Sequence, residues 1–148
     1  MIPASGNMLE TIGNSPLEKL TSIPEPGMAE IWVKIEGTNP TGSYKDRMAL
    51  AMVKGAEQEG RVNSSTIFLE CNGGSTGTAL AFVCAVKGHA LTIISSDAYA
   101  REKLDSMRAF GATLLVEPSI DGEVTPDLWP RMLERAQTMA EDLSLIHI

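Results

Sequence analysis

The chain has 148 residues, 43% of them apolar and 21% charged, which is material for one packed core and excludes a disordered or fibrous chain. Its 12 Lys and Arg against 19 Asp and Glu leave a formal net charge of −7, with no basic footprint for a nucleic-acid surface. Both cysteines lie in apolar stretches, the opening lacks a signal-peptide pattern, and no apolar run is long enough for a bilayer, so a reduced cytoplasmic setting without a membrane span is expected.

Residues 1 to 30 are rich in Gly, Pro, Ser and Asn and predict an irregular lead-in. Ile31 to Ile35 alternates large and branched residues and stops at Gly37, Asn39-Pro40 and Gly42, which predicts a strand entering a loop, with Trp32 in the sheet core. Ser43 then stands where a helix cap belongs. From Asp46 to Glu59, Met48, Ala49, Met52, Val53 and Ala56 recur at helical spacing before Gly60. Thr66 to Leu69 predicts a buried strand, Asn72 to Gly77 a turn, and Thr78 to Lys87 a helix closed by Gly88. Leu91 to Ile94, Ala100 to Phe110, Thr113 to Val116 and Pro126 to Leu143 continue as strand, helix, strand and helix. Short apolar strands separated by helices imply right-handed crossovers and a parallel sheet covered on both faces. The fold class is α/β.

Two strand-to-helix loops carry candidate chemistry, since such loops gather at the carboxyl ends of a parallel sheet, where ligands bind. The first runs from Gly37 to Arg47 and places Lys45 in the first turn of a helix. There the helix dipole opposes an ammonium and favours the neutral amine that a Schiff-base lysine needs. A solvated surface lysine, or an ion pair with Asp46, is the plain alternative.

The second loop is Glu70-Cys71-Asn72-Gly73-Gly74-Ser75-Thr76-Gly77-Thr78. Its glycines allow close backbone approach, the helix start offers free N–H groups to an anion, and Ser75, Thr76 and Thr78 add hydroxyl donors. This is the chemistry of a carboxylate or phosphate cradle; the alternative is a tight turn with a capping hydroxyl. A dinucleotide loop fits less well, because the first of its required glycines is replaced by Asn72, although Asp97 follows at a suitable distance. Neither segment is a Walker A loop. His89 is expected to be exposed or capping, and no metal site is expected from one body histidine and two separated cysteines. Cys84 reads as core, and Cys71 borders the second loop. Met8, Met48, Met52 and Met107 read as packing residues, and Trp129 as an anchor of the last helix.

Taken together, these segments resemble the cysteine synthase family, also called O-acetylserine sulfhydrylase, of fold type II pyridoxal-phosphate enzymes. The residues that carry the resemblance are Ile12-Gly13-Asn14-Ser15-Pro16-Leu17 with Lys19-Leu20, Lys34-Ile35-Glu36-Gly37, and Asn39-Pro40-Thr41-Gly42-Ser43-Tyr44-Lys45-Asp46-Arg47. Glu70, Gly74, Thr76 and Gly77 extend it, and it runs from about residue 9 to about residue 119. The resemblance implies that Lys45 holds pyridoxal 5'-phosphate covalently and then acts as the base at the α-carbon. It assigns the substrate carboxylate to a loop of Asn72, Gly73, Gly74, Ser75 and Thr76. Family members commonly carry Ser-Gly-Asn-Thr-Gly here, the asparagine reaching the cofactor ring hydroxyl; Ser75 takes that position and offers a shorter donor.

The implied reaction is β-replacement on an activated serine, O-acetylserine plus sulfide giving cysteine. A serine or threonine dehydratase is the alternative within enzymes, and a non-catalytic α/β nucleotide-binding or regulatory module is the alternative outside them. The expected partner is a small amino-acid substrate, with no nucleic acid or membrane, and a homodimer is expected for the full-length protein. Residues 1–45 are expected to open the large cofactor domain, and residues 46–142 to form a small α/β domain carrying loop 70–78. The stretch 143–148 matches a forward translation of a transposon-end sequencing adapter and is expected to be foreign and without function. The family's phosphate-binding loop and its partner for the pyridine nitrogen have no counterpart after residue 120, so residues 1–148 alone are expected to be inactive.

Overall fold

The computed structural model describes residues 6–143 and 146–147. Its centre is a four-stranded sheet of order β5-β4-β3-β6, built from β3 (Ile67–Cys71), β4 (Ala90–Ser96), β5 (Thr113–Glu117) and β6 (Ile146–His147). Every pairing in it is parallel. Four helices accompany the sheet: α1 (Lys45–Gln58), α2 (Ser75–Lys87), α3 (Arg101–Ala109) and α4 (Leu128–Leu143).

Strand alternation divides the core in two. Phe68, Leu91 and Ile93 join Val53 of α1, Leu80 and Val83 of α2 and Met107 of α3 in one apolar cluster. Leu69, Cys71 and Ile94 face the other way and pack with Leu128, Met132 and Ala136 of α4. Because both faces are covered, successive strand residues must be apolar, which is why these strands read as continuous runs rather than alternating ones. The α/β expectation holds, with helices on both faces of a parallel sheet.

Helix α2 is the most enclosed helix of the fold, with every residue from Gly77 to Cys84 buried. It ends at Gly88, which takes the left-handed conformation (φ 77°) and lets His89 N–H donate to the Cys84 carbonyl at 2.9 Å. At this end Glu57 of α1 accepts from Lys87 Nζ at 2.7 Å and lies 2.7 Å from His89 Nε2. The Lys87 hydrogen bond first, then that of His89, holds the Glu57 carboxyl below its ordinary range. His89 is therefore neither exposed nor a cap: it clasps α1 to the start of β4 and tilts against Phe68, with ring centroids 5.4 Å apart.

The lead-in departs from expectation. Met8–Thr11 forms a 3₁₀ turn, and β1 (Leu17–Lys19) pairs antiparallel with β2 (Trp32–Lys34) as a separate ribbon. All six of its strand residues are exposed. Trp32 is 51% exposed and so is not sheet core, because β2 joins this ribbon and not the central sheet. Met8 and Trp129 are also exposed, at 54% and 47%, against the packing roles expected of them, whereas Met107 is fully buried. Part of the stretch set apart as foreign, Ile146–His147, lies beside Phe68 and Leu69 at the sheet edge.

Candidate active site

The segment leading into Lys45 is held by a polar lattice. Asn39, only 4% exposed, accepts from Gly13 N–H at 2.8 Å and donates to the Glu36 carbonyl and Glu36 Oε2, both at 2.8 Å. Ser15 donates to Glu36 Oε1 at 2.8 Å and accepts from Arg47 Nη2 at 2.6 Å. Arg47 also donates to both Glu36 oxygens, from Nε at 3.1 Å and through a close Nη2 contact. The Ser15 hydrogen bond first, then Arg47, holds the Glu36 carboxyl below the ordinary range. Gly42 closes the turn by donating to the Asn39 carbonyl at 2.8 Å, and its φ of 75° is one that side-chain-bearing residues rarely adopt.

Lys45 opens α1. Tyr44, not the expected Ser43, occupies the capping position and makes no side-chain cap, while the Ser43 hydroxyl accepts the Lys45 N–H at 3.2 Å from one residue earlier. Asp46 is fully buried and accepts from Thr41 N–H at 2.8 Å and from the Thr41 hydroxyl. It is thereby turned away from Lys45, which removes the ion pair considered as the plain alternative. The half-buried Lys45 instead places Nζ 4.8 Å from the centroid of the Tyr44 ring.

The second loop follows β3. Asn72 N–H donates to the Ile94 carbonyl at 3.0 Å, and its side-chain oxygen accepts from Gly74 N–H at 2.5 Å. Helix α2 then begins at Ser75, three residues earlier than the expected Thr78, with Gly74 at its N-cap. Thr78 is spent on structure: its hydroxyl donates back to the Gly74 carbonyl at 3.3 Å. The remaining donors are the half-buried Ser75 and Thr76 and the unpaired N–H groups of the first helical turn. A Cβ at Gly77 would lie 2.8 Å from Met107 Cε and 3.2 Å from Asn72, so a side chain there would have to displace the methionine end and press on Asn72.

The helix clasp brings the two loops to one end of the fold. Glu57 lies twelve residues after Lys45, and Lys87 twelve after Ser75. At about 1.5 Å rise per residue, two helices packed side by side and joined at those carboxyl-terminal residues run parallel, with their first residues at a common end. The N-termini of α1, which Lys45 opens, and of α2, which Ser75 and Thr76 open, therefore lie toward a common end. Beside it, Ser95 of β4 is fully buried, and its hydroxyl has no hydrogen-bond partner among the described residues. This donor set suits an anionic ligand with an amine-reactive carbonyl, and so fits pyridoxal phosphate. Asp97, the acid a dinucleotide site would need, is engaged elsewhere: its carboxyl accepts from Ser119 N–H at 2.7 Å, which lowers its pKa.

Both thiols are packing residues. Burial, then the charge of Glu70, pushes the Cys71 pKa up to about 11; burial raises Cys84 to about 12. Cys71 Sγ donates to the Met132 carbonyl at 3.3 Å. Residues the sequence did not single out are Glu36, Asn39 and Asp46 as supports of the lysine segment, and Tyr99, whose ring lies against Gly73.

Burial also pushes the Glu70 carboxyl, at the end of β3, up to about 7. Raised above its ordinary value of 4.5, the folded carboxyl keeps its proton where the unfolded one has lost it. Stability therefore falls as pH rises from about 4.5 to about 7 and is level above. After discounting for partial exposure, the loss is on the order of 2 kcal/mol. Glu70→Gln is expected to flatten this slope and to raise stability at pH 8, measured by urea unfolding across pH; a slope equal to that of the unsubstituted chain would assign it to another group.

A parallel α/β sheet with a lysine-bearing helix start and a glycine-rich loop at one end is the layout of a fold type II pyridoxal-phosphate enzyme. The chain belongs to the pyridoxal-phosphate dependent enzyme family, whose model matches residues 8–146. Cysteine synthase B of Salmonella typhimurium is 42% identical over 133 residues, covering 88% of this chain and 44% of that protein. Its Escherichia coli counterpart is 39% identical over 129 residues, covering 86% and 43%. Among solved structures, a hydrogen sulfide-producing enzyme from Fusobacterium nucleatum is 33% identical with a TM-score of 0.85, covering 98% of this chain and 45% of that one. Cysteine synthase from Entamoeba histolytica is 30% identical with a TM-score of 0.88, covering 99% and 43%. The chain thus spans less than half the length of these relatives.

Proposed function

We propose that this chain supplies the cofactor lysine and the substrate-carboxylate loop of a cysteine-synthase-like enzyme that replaces the β-substituent of an activated serine. The observation that supports it most is the parallel pairing of α1 and α2, fixed by Glu57 with Lys87 and His89, which puts Lys45 and the loop at one end. In this reading Lys45 holds pyridoxal 5'-phosphate, and Ser75 stands where a hydroxyl can reach the cofactor ring. Pyridoxal phosphate, when bound, supplies the electron sink for charge developing at the α-carbon.

The chain's own residues do the rest. In this reading the loop of Asn72, Gly73, Gly74, Ser75 and Thr76 grips the α-carboxylate, its free donors being the hydroxyls and N–H groups of Ser75 and Thr76 at the positive end of α2, which orients the amino acid. The amine of Lys45 removes the α-proton. The buried Asp46 and the Glu36 lattice keep that amine in place by fixing the turn before it. Loss of the leaving group from the β-carbon and addition of sulfide there give cysteine. Residues 1–45 belong in this reading to the large domain and 46–142 to the small one, in a cytoplasmic homodimer.

The test is borohydride reduction of the cofactor-loaded full-length chain, followed by peptide mass mapping and product analysis. Cofactor mass on the Lys45 peptide, with sulfide-dependent cysteine from O-acetylserine, is the expected result. A keto acid formed without sulfide would replace the synthase by a dehydratase; a folded chain with no adduct at Lys45 would make it a non-catalytic binding module.

A further inference from the structure

We propose that Tyr99 determines specificity at the glycine-rich loop: its ring fills the space a side chain at position 73 would take, and its phenol hydroxyl joins those that grip the substrate α-carboxylate. This rests on the reading of residues 72–76 as the carboxylate loop. A Cβ built on Gly73 would lie 2.6 Å from Tyr99 Cε1, 2.8 Å from Cζ and 2.9 Å from Cδ1. These atoms form one edge of the ring, ending at the carbon that bears the hydroxyl. That edge therefore lies along the loop backbone and delivers the oxygen beside it. Gly73 has no positive φ to account for its lack of a side chain; the ring accounts for it.

The ring is well anchored for such a task. It packs against the cluster of Leu69, Cys71 and Ile94, and its N–H donates to the Ser96 carbonyl at 3.2 Å. The same turn is tied by Ala98 N–H donating to the Ser96 hydroxyl at 3.2 Å. Tyr99 is only half-buried, and its hydroxyl takes no protein partner among the described residues. Within the loop, by contrast, the Thr78 hydroxyl and the Asn72 side-chain oxygen are already committed to Gly74. A carboxylate held there needs donors, and Tyr99 is an uncommitted one. Lys103, one helical turn further on, also reaches this stretch of backbone, its Cγ lying 3.9 Å from the position of a Cβ on Gly74. The Tyr99 ring and the Lys103 stem together wall residues 73 and 74, so the loop accepts a carboxylate from the side of Ser75 and Thr76.

The test uses L-alanine, which carries the α-amino and α-carboxylate groups but no leaving group, titrated calorimetrically into the cofactor-loaded full-length chain. Tyr99→Phe keeps the ring and removes only the hydroxyl. It is expected to weaken L-alanine by roughly fivefold to tenfold, the loss of one neutral hydrogen bond, with the melting temperature unchanged. Ethylamine, which lacks the carboxylate, is expected to bind both forms equally. Unchanged L-alanine affinity in Tyr99→Phe would overturn the role of Tyr99 while leaving the carboxylate loop standing; no L-alanine binding to the unsubstituted loaded protein would overturn both. Packing is tested separately by a cycle: Gly73→Ser is expected to lower the melting temperature markedly, and by much less in a Tyr99→Ala background. Equal losses in both backgrounds would mean that the ring does not enforce glycine at 73.

Discussion

Lys45→Ala in the full-length chain is expected to abolish stable cofactor attachment and to lower turnover by at least about a thousandfold, since a positioned base alone contributes roughly 10²–10⁴. The loss comprises a nucleophilic amine and a base in one residue, and no neighbour replaces either. Tyr44, whose ring lies beneath Nζ, has neither function. Arg47 is occupied by Glu36 and Ser15. Mass mapping after reduction checks the attachment and steady-state kinetics the turnover. Because Lys45 packs no core residue, Lys45→Ala is expected to melt within a few degrees of the unsubstituted protein. Retained turnover within tenfold would move the catalytic role to another amine.

Much of this was legible in the sequence, and what was not shares a physical cause. The parallel sheet shows itself because burial on both faces forces apolar runs such as Phe68-Leu69 and Ile93-Ile94. The two loops show themselves because glycine, hydroxyl and lysine residues cluster within a few positions of a helix start. The ribbon is only half legible: Ile31 to Ile35 reads as a strand and Trp32–Lys34 forms one, but Leu17–Lys19 is exposed and carries no alternation, and Trp32 reads as core although its strand joins the exposed ribbon. The lattice around Lys45 is hidden for a different reason. Ser15, Glu36 and Arg47 meet across separations of 11 to 32 residues, and single polar residues carry no periodicity that announces a distant partner. Tyr99 is hidden likewise, since only the folded chain lays its ring on Gly73. The early start of α2 at Ser75 is hidden too, because Ser75 and Thr76 suit a turn or a cap as well as a first helical turn.

The second large effect falls on stability rather than chemistry. Asp46 is fully buried and serves as acceptor for both the N–H and the hydroxyl of Thr41. Hydrogen bonds to a charged acceptor contribute roughly 1.5–3 kcal/mol each, and an abandoned buried donor costs about 1–3 kcal/mol. Asp46→Ala removes the acceptor and leaves the Thr41 N–H without one, so a loss of about 3 kcal/mol is expected in urea unfolding. Asp46→Asn retains one carbonyl oxygen for the N–H, and the Thr41 hydroxyl can reverse to accept from the new amide, so about 1 kcal/mol is expected there. The two substitutions also separate stability from chemistry. Thr41 belongs to the turn that delivers Lys45, and a loosened turn lets the amine wander from its productive position, which slows proton removal even where the protein stays folded. Asp46→Ala is therefore expected to reduce turnover more than the unfolded fraction accounts for, and Thr41→Val to reproduce part of the loss by deleting the hydroxyl alone. If Asp46→Ala unfolds at the same urea concentration as the unsubstituted protein, the carboxylate is not a support of the lysine turn, and the position of Lys45 is set by the Glu36 lattice alone.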